Sequence, residues 1–244
     1  MITTILRYNR DGTIAECDDE VTEEYPITLY VNGVFAGRIA SSGDLADAAA
    51  VGHAVAQGWA RPEQILAVTH EGQSAFLTLS QNAPGPDAAT SMDIDCISAE
   101  ALAERSPVPA GFSVAAQQIQ KLAEQMQHSA LHWSLTGGVH AAAVAQGESI
   151  FCCEDISRHT ALDKVIGYAV LHSWKLDQAV LMGTGRIPAQ AVIQAAQAGI
   201  PILASRSATT AQAIVAAERM GITIIGFVRA GRMNVYTHPE RITA

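Results

Sequence analysis

The sequence predicts an α/β protein built in two parts, a parallel sheet with crossover helices following a smaller α/β unit. Three observations carry this. From about residue 160 onward, short apolar runs alternate with helix-period segments, the pattern of parallel strands joined by crossover helices. Residues 25–80 carry their own hairpin, helix and strand signals. Between the two parts, residues 81–95 contain Pro84, Gly85 and Pro86 and show no periodicity, and loops of that length are functional or mobile. The boundary is placed near Ser106-Pro107-Val108-Pro109, giving a smaller N-terminal α/β domain over 1–105, ending in this loop, and a second domain over 106–244.

Taken in order, "YPITLYVNGVFAGRIA" alternates around Asn32-Gly33 and reads as a β-hairpin. "SGDLADAAAVGHAVAQG" reads as a helix capped by Ser and Asp and stopped at Gly58. "QILAVTH" and "SAFLTLS" read as strands, and a short helix is expected after Cys96. "SVAAQQIQKLAEQMQHS" is an amphipathic helix by spacing. "HAAAVAQGESIFCC" reads as two strands around Gly147, followed by a helix over "TALDKVIGYAVLHSW". Then come a strand in "QAVLMGTG", a helix from Pro188 to the stop at Gly199, a strand in "IPILAS", a helix in "ATTAQAIVAAERMG" and a strand in "ITIIGFVRAG".

Composition narrows the function classes. The net charge of −9 argues against binding nucleic acid or an anionic membrane, although a local arginine cluster can still hold a phosphate group. The start lacks the apolar core of a secretory signal, and no apolar run is long enough to span a bilayer, so a cytoplasmic location is expected. The four cysteines, Cys17, Cys96, Cys152 and Cys153, form neither a disulfide framework nor a Cys-x-x-Cys zinc site, and no metal ligand set is expected.

Parallel sheets bind ligands at the carboxyl ends of their strands, and here those ends are "GTGR", "ASRS" and "FVRAGR". Arg186, Arg206, Arg229 and Arg232 thus form a candidate anion-binding rim, with Ser205, Ser207 and Thr209 before a helix N-terminus. The plainer reading is that they are solvated or ion-paired surface arginines. Thr136-Gly137-Gly138 allows close backbone approach to a ligand, with His140 beyond it, or else forms an ordinary turn before a core histidine. Cys152 and Cys153, adjacent on a strand, face opposite sides, one into the core and one toward a cleft. Asp155 is a candidate helix cap, and His159 a candidate acid, base or hydrogen-bond donor. Cys96 ends the loop beside Asp93 and Asp95, whose charges raise a thiol pKa.

The stretches "EEYPITLYVNGV", "LTGGVHAAAV", "CEDISRHTALDKVIG" and "GIPILASRSATTAQAIVAAERMGITIIGFVRAGRMNVYTHPERI" together resemble the FdhD family over nearly the whole chain. The resemblance implies a cytidine-deaminase-like C-terminal domain after the smaller N-terminal one, in a homodimer, without the H-x-E and P-C-x-x-C zinc signature of deaminases. It implies a sulfur carrier that takes persulfide sulfur from a cysteine desulfurase. The sulfur passes to a molybdenum or tungsten bis-molybdopterin guanine dinucleotide cofactor, a transient substrate not permanently bound, and so serves formate dehydrogenase. The family's guanine-dinucleotide stretch falls on Phe227, Val228, Arg229, Ala230, Gly231 and Arg232, its glycine block on Thr136 to Ala143, and its acidic-basic block on Glu154 to His159. The resulting candidate site holds Cys96 as the catalytic residue. Its cofactor-binding residues are 227–232, Arg186, Ser205, Arg206, Thr136, Gly137, Gly138, His140, Asp155, Arg158 and His159. Members typically carry C-x-x-C in the loop; here only Cys96 remains, with Asp93 in the first position, and Cys153 stands where arginine or histidine is usual. The alternatives are a cofactor-binding chaperone without sulfur chemistry and a generic nucleotide-binding enzyme.

Overall fold

The computed structural model describes residues 1–86 and 107–244. Cys96, most of the proline-glycine loop, the short helix expected after it and the 105/106 boundary lie outside the described residues.

The chain opens with a hairpin that the sequence reading did not include, β1 (Ile2–Tyr8) and β2 (Ile14–Glu20). Its signal was present: Asp11-Gly12 separates two β-rich runs, Gly12 has φ +84°, and the Asp11 carboxylate accepts the Thr13 amide at 3.0 Å. The expected hairpin is β3 (Ile27–Val31) and β4 (Val34–Ile39), and Asn32 and Gly33 both take positive φ, as a mirror-image two-residue turn requires. With β5 (Ile65–Glu71) and β6 (Ser74–Leu79) it makes a four-stranded sheet ordered β4-β3-β6-β5. Helix α1 (Ala46–Ala56) packs on one face of this sheet, over Ile27, Leu29, Val31, Ala75 and Leu77. The expected Ser/Asp cap is absent: the N-cap is Leu45 in the left-handed region, because Ser42 and Asp44 are drawn to partners in the second unit.

In the second unit, β7 (Val114–Ala115) leads into α2 (Ala116–Ser129) and the single-turn α3 (Leu131–Thr136). The hairpin β8 (His140–Gln146) and β9 (Ser149–Asp155) and helix α4 (Arg158–Leu171) come next. Then β10 (Val180–Gly183), α5 (Ala189–Gln197), β11 (Ile202–Ser205), α6 (Ala211–Met220) and β12 (Thr223–Arg229) alternate as the periodicity predicts. The six-stranded sheet is ordered β13-β12-β11-β10-β8-β9, with β10, β11 and β12 parallel. Its edge strand β13 (Arg232–Val235), which the sequence reading left out, folds back on β12 and pairs Arg232 with Arg229. Period-two alternation sorts β8 between two cores. Ala141 and Ala143 face α2, whereas Ala142 and Val144 face α4 and the crossover helices.

The carboxyl-terminal block has a structural task. Arg241 is buried and donates to the Pro109 carbonyl at 3.2 Å and to Thr223 Oγ1 at 3.3 Å, while β14 (Ile242–Thr243) pairs with β7. The end of the chain thereby fastens the segment that begins at residue 107.

The two units meet where α1 crosses α4. Gly52 and Gly167 sit at the crossing, and a Cβ on Gly52 would overlap the Asp163 carbonyl, as one on Gly167 would overlap that of Ala48. Helices this close can only be glycine against backbone. We expect Gly52→Ala to lower the unfolding free energy by about 3 kcal/mol or more, because backbone has no rotamer with which to yield; denaturant unfolding measures it, and an unchanged midpoint would contradict the crossing.

Candidate functional site

The parallel strands β10, β11 and β12 end at one edge of the sheet, and the antiparallel β8 begins there with His140. A continuous cleft runs along this edge. Its inner pocket, a recess of about 20 Å³, is lined by His140, Arg158, His159, Thr184, Arg186 and Ser205, among others. The outer cleft, about 440 Å³, adds Gln127, Trp133, Gly137, Gly138, Arg206 and Arg229, and His140 and Thr184 border both. A flanking hollow carries Val228, Ala230 and Gly231 beside Arg206 and Arg229. The outer cleft is of a size that suits a small-molecule ligand, and the inner pocket is a narrow recess opening from it.

Among the described residues, no carboxylate lines the inner pocket or the outer cleft. Among the described residues, Arg158, Arg186, Arg206 and Arg229 have no ion-pair partner. Arg206 donates to the neutral Gln127 Oε1, and Arg229 lies over the Phe227 ring at 5.4 Å. Phe227 itself has φ 54°, costly for an aromatic residue, and its amide is tied to the Ser207 carbonyl at 3.0 Å. The ladder shifts register between Gly226 and Arg229, so this strained bulge delivers Arg229 to the cleft.

Other sequence-predicted residues brace the cleft wall. Ser205 is buried; its hydroxyl donates to the Gly185 carbonyl at 2.6 Å and accepts the Ser207 amide at 2.9 Å, which staples the β10 and β11 end loops together. Thr136 Oγ1 donates to the His132 carbonyl and accepts from Thr22 and from the Gly138 amide. Neither Thr136 nor Arg232 lines the pockets described. At the helix N-terminus after Ser207 and Thr209, Thr210 caps α6 by accepting the Ala213 amide, which takes up one of the first-turn amides.

The acidic-basic block divides. The Glu154 carboxylate accepts the His132 and Trp133 amides at 2.9 and 2.7 Å and so caps α3. Asp155 is neither the α4 cap nor a wall of the cleft. Ser157 caps α4, while Asp155 is fully buried, pairs with Lys164 Nζ at 2.6 Å and accepts from Ser41, Ser42 and Ser157. Lys164 is buried as well, and also donates to Asp44 and Ser42 of the first unit. Burial alone would raise the Asp44 carboxyl; the hydrogen bond and charge of Lys164 outweigh it and hold its pKa below the ordinary value. Arg158 and His159 line the inner pocket, and Ile156 of the same block lines the outer cleft.

Cys152 packs toward α2 and Cys153 toward α4, as their alternation predicts. Burial raises both thiol pKa values, and Cys153 donates to the Ala161 carbonyl at 3.5 Å. Neither is among the described residues that line these three pockets. Residues lining the cleft that sequence reasoning missed include Thr184, Trp133 and Gln127. The threonine follows a recognisable strand end, but no pattern marked the other two. Among the described residues no cluster of His, Cys, Asp and Glu suits a metal ion, and no helix is long and apolar enough to cross a membrane.

Two outcomes are expected. Lys164→Met strands the buried Asp155 carboxylate and lowers the unfolding free energy by about 3–5 kcal/mol, and adding Asp155→Leu recovers much of it. The Asp44 contribution is complete above the ordinary carboxylate range and is lost as pH falls through its lowered folded value. Second, burial, then the Arg158 charge, lower the His140 pKa. Its NMR titration should therefore fall below 6.5 in the free protein and move up when pyrophosphate is added; a free-protein midpoint above 6.5 would refute the assignment.

The comparisons agree with one another. The sulfur carrier protein FdhD of Halalkalibacterium halodurans is 31% identical over 249 residues, covering 95% of this chain and 92% of its own. That of Bacillus pumilus is 31% identical over 258 residues, covering 98% and 96%. That of Methanothermobacter thermautotrophicus is 38% identical over 136 residues, 56% of this chain and 55% of its own. A crystal structure from Desulfotalea psychrophila, of a protein assigned as a formate dehydrogenase accessory protein, superposes with a TM-score of 0.82 at 23% identity, covering 100% of this chain and 99% of its own. The FdhD/NarQ family profile matches residues 22–243, and the chain belongs to that family.

Proposed function

We propose that the protein is a sulfur carrier that matures formate dehydrogenase by passing persulfide sulfur from a cysteine desulfurase to a molybdenum or tungsten bis-molybdopterin guanine dinucleotide substrate. The observation that carries the reading is the convergence of Arg158, Arg186, Arg206 and Arg229 on one cleft whose described lining residues include no carboxylate, in a chain of net charge −9. Guanidinium groups held without carboxylate partners suit phosphate oxygens. The names of the relatives, sulfur carrier and formate dehydrogenase accessory protein, fit a ligand of this kind.

Sulfur transfer needs an accessible thiolate. Cys152 and Cys153 have raised pKa values and packed positions, so the candidate carrier is Cys96, at the motif position in the loop that ends the first domain. In the exchange the Cys96 thiolate attacks the terminal sulfur of the donor persulfide. A new S–S bond forms on Cys96, and the donor leaves as its thiolate, with no net change of oxidation state. The replacement of the first motif position by Asp93 favours the second reading, a cofactor chaperone that keeps the cleft and has lost the sulfur step.

Two measurements separate the readings. After incubation with a cysteine desulfurase and cysteine, mass spectrometry should find one added sulfur on Cys96, and Cys96→Ala should abolish complementation of formate dehydrogenase activity. A Cys96→Ala protein that still complements would establish the chaperone. Arg229→Ala and Arg206→Ala should each weaken binding of GDP about tenfold or more, the worth of a charge-assisted hydrogen bond; unchanged affinity in both would remove the phosphate-binding reading.

A further inference from the structure

Gln194 lies on α5 with 1% of its surface exposed, and Asp163 lies on α4 with 2%. Buried polar groups of this kind must be satisfied, and each atom of this pair has a partner. Asp163 Oδ2 is 2.9 Å from Nδ1 of His53 on α1. Asp163 Oδ1 accepts Gln194 Nε2 at 2.7 Å, and the same nitrogen reaches the His159 carbonyl at 3.3 Å. Gln194 Oε1 is 3.3 Å from His159 Nδ1, and His159 Nε2 is 3.2 Å from Arg158 Nε.

These contacts fix one another in order. A carboxylate can only accept, so the Gln194 amide must turn its NH₂ group to Asp163. Its Oε1 is then the atom facing His159, so His159 Nδ1 must carry the hydrogen. His159 Nε2 is left with a lone pair, which accepts the Nε–H of Arg158, a donor that cannot be deprotonated. The position of the Arg158 guanidinium in the inner pocket is thereby tied to a carboxylate two side chains away, and through His53 to the first unit.

We infer that Asp163 and Gln194 are positioning residues that hold His159 in its Nδ1–H form and so hold Arg158 at the inner pocket for an oxyanion. The inference rests on the proposed anion-binding role of the cleft, and the test separates the two. Long-range proton–nitrogen NMR of the full chain reads the His159 ring directly: the wild type should show Nδ1 protonated and Nε2 not, and the reverse would overturn the inference whatever binds. Gln194→Leu should give a mixture of the two forms and weaken binding of inorganic pyrophosphate about three- to tenfold, on the scale of one misdirected charge-assisted hydrogen bond. Asp163→Asn, which keeps an acceptor for Gln194, should retain the Nδ1–H form and near wild-type affinity. In an Arg158→Ala background, Gln194→Leu should have no further effect on pyrophosphate affinity, a readout that a general packing role would not produce. Additive losses would overturn the positioning role. A wild type with the expected ring form that binds no pyrophosphate would sink the anion-binding reading and leave the side-chain order standing. If Gln194→Leu fails to fold, the wild-type ring form still decides.

Discussion

The buried ammonium of Lys164 is the interaction on which the arrangement of the two units depends. It is fully enclosed, which is tolerable only because Asp155 neutralises it within the sheet unit and Asp44 does so from the first unit. A charge so placed cannot be left half-satisfied, so the loop from Ser41 to Asp44 has to sit against the end of β9 and the start of α4. The glycine crossing of α1 and α4 makes that approach sterically possible, and the loss of a normal cap on α1 is its local consequence. Because α4 begins at Arg158, fixing α4 also fixes one wall of the cleft.

Among the described residues, a chain with excess acid keeps its carboxylates out of the cleft by using them elsewhere. Asp155 and Asp44 are held by Lys164, Asp163 by His53 and Gln194, and Glu154 by the first amides of α3. The arginines that follow the strand ends keep neutral partners: Gln127 for Arg206, the Phe227 ring for Arg229 and the His159 ring for Arg158. Positive potential at the edge of the sheet is thus a product of where acids are buried, which net charge does not report.

The paired cysteines show the same separation of position from chemistry. Two thiols beside an arginine and a histidine suggest reactivity, yet the strand turns one toward each core, and desolvation favours the protonated form of both. The functional members of that stretch are the residues after the strand, where α4 starts and its side chains reach the strand-end edge.

What the sequence determined by itself is what depends on local spacing. The alternation of apolar runs set the parallel strands β10 to β12, the position of arginines after them set the rim, and Asn32-Gly33 set the β3–β4 turn. The motif blocks identified the family. What it left open depends on partners distant in the chain. Asp155 looked like a cap and is an anchor for a lysine and a serine loop more than a hundred residues away in sequence. The edge strand β13 was missed because four residues after a turn carry little periodic signal, and Trp133 and Gln127 because nothing local aims a helix side chain at a cleft. Tertiary structure decided which acids were neutralised and which cations were left for a ligand, because burial and charge pairing are set by what the folded chain brings together.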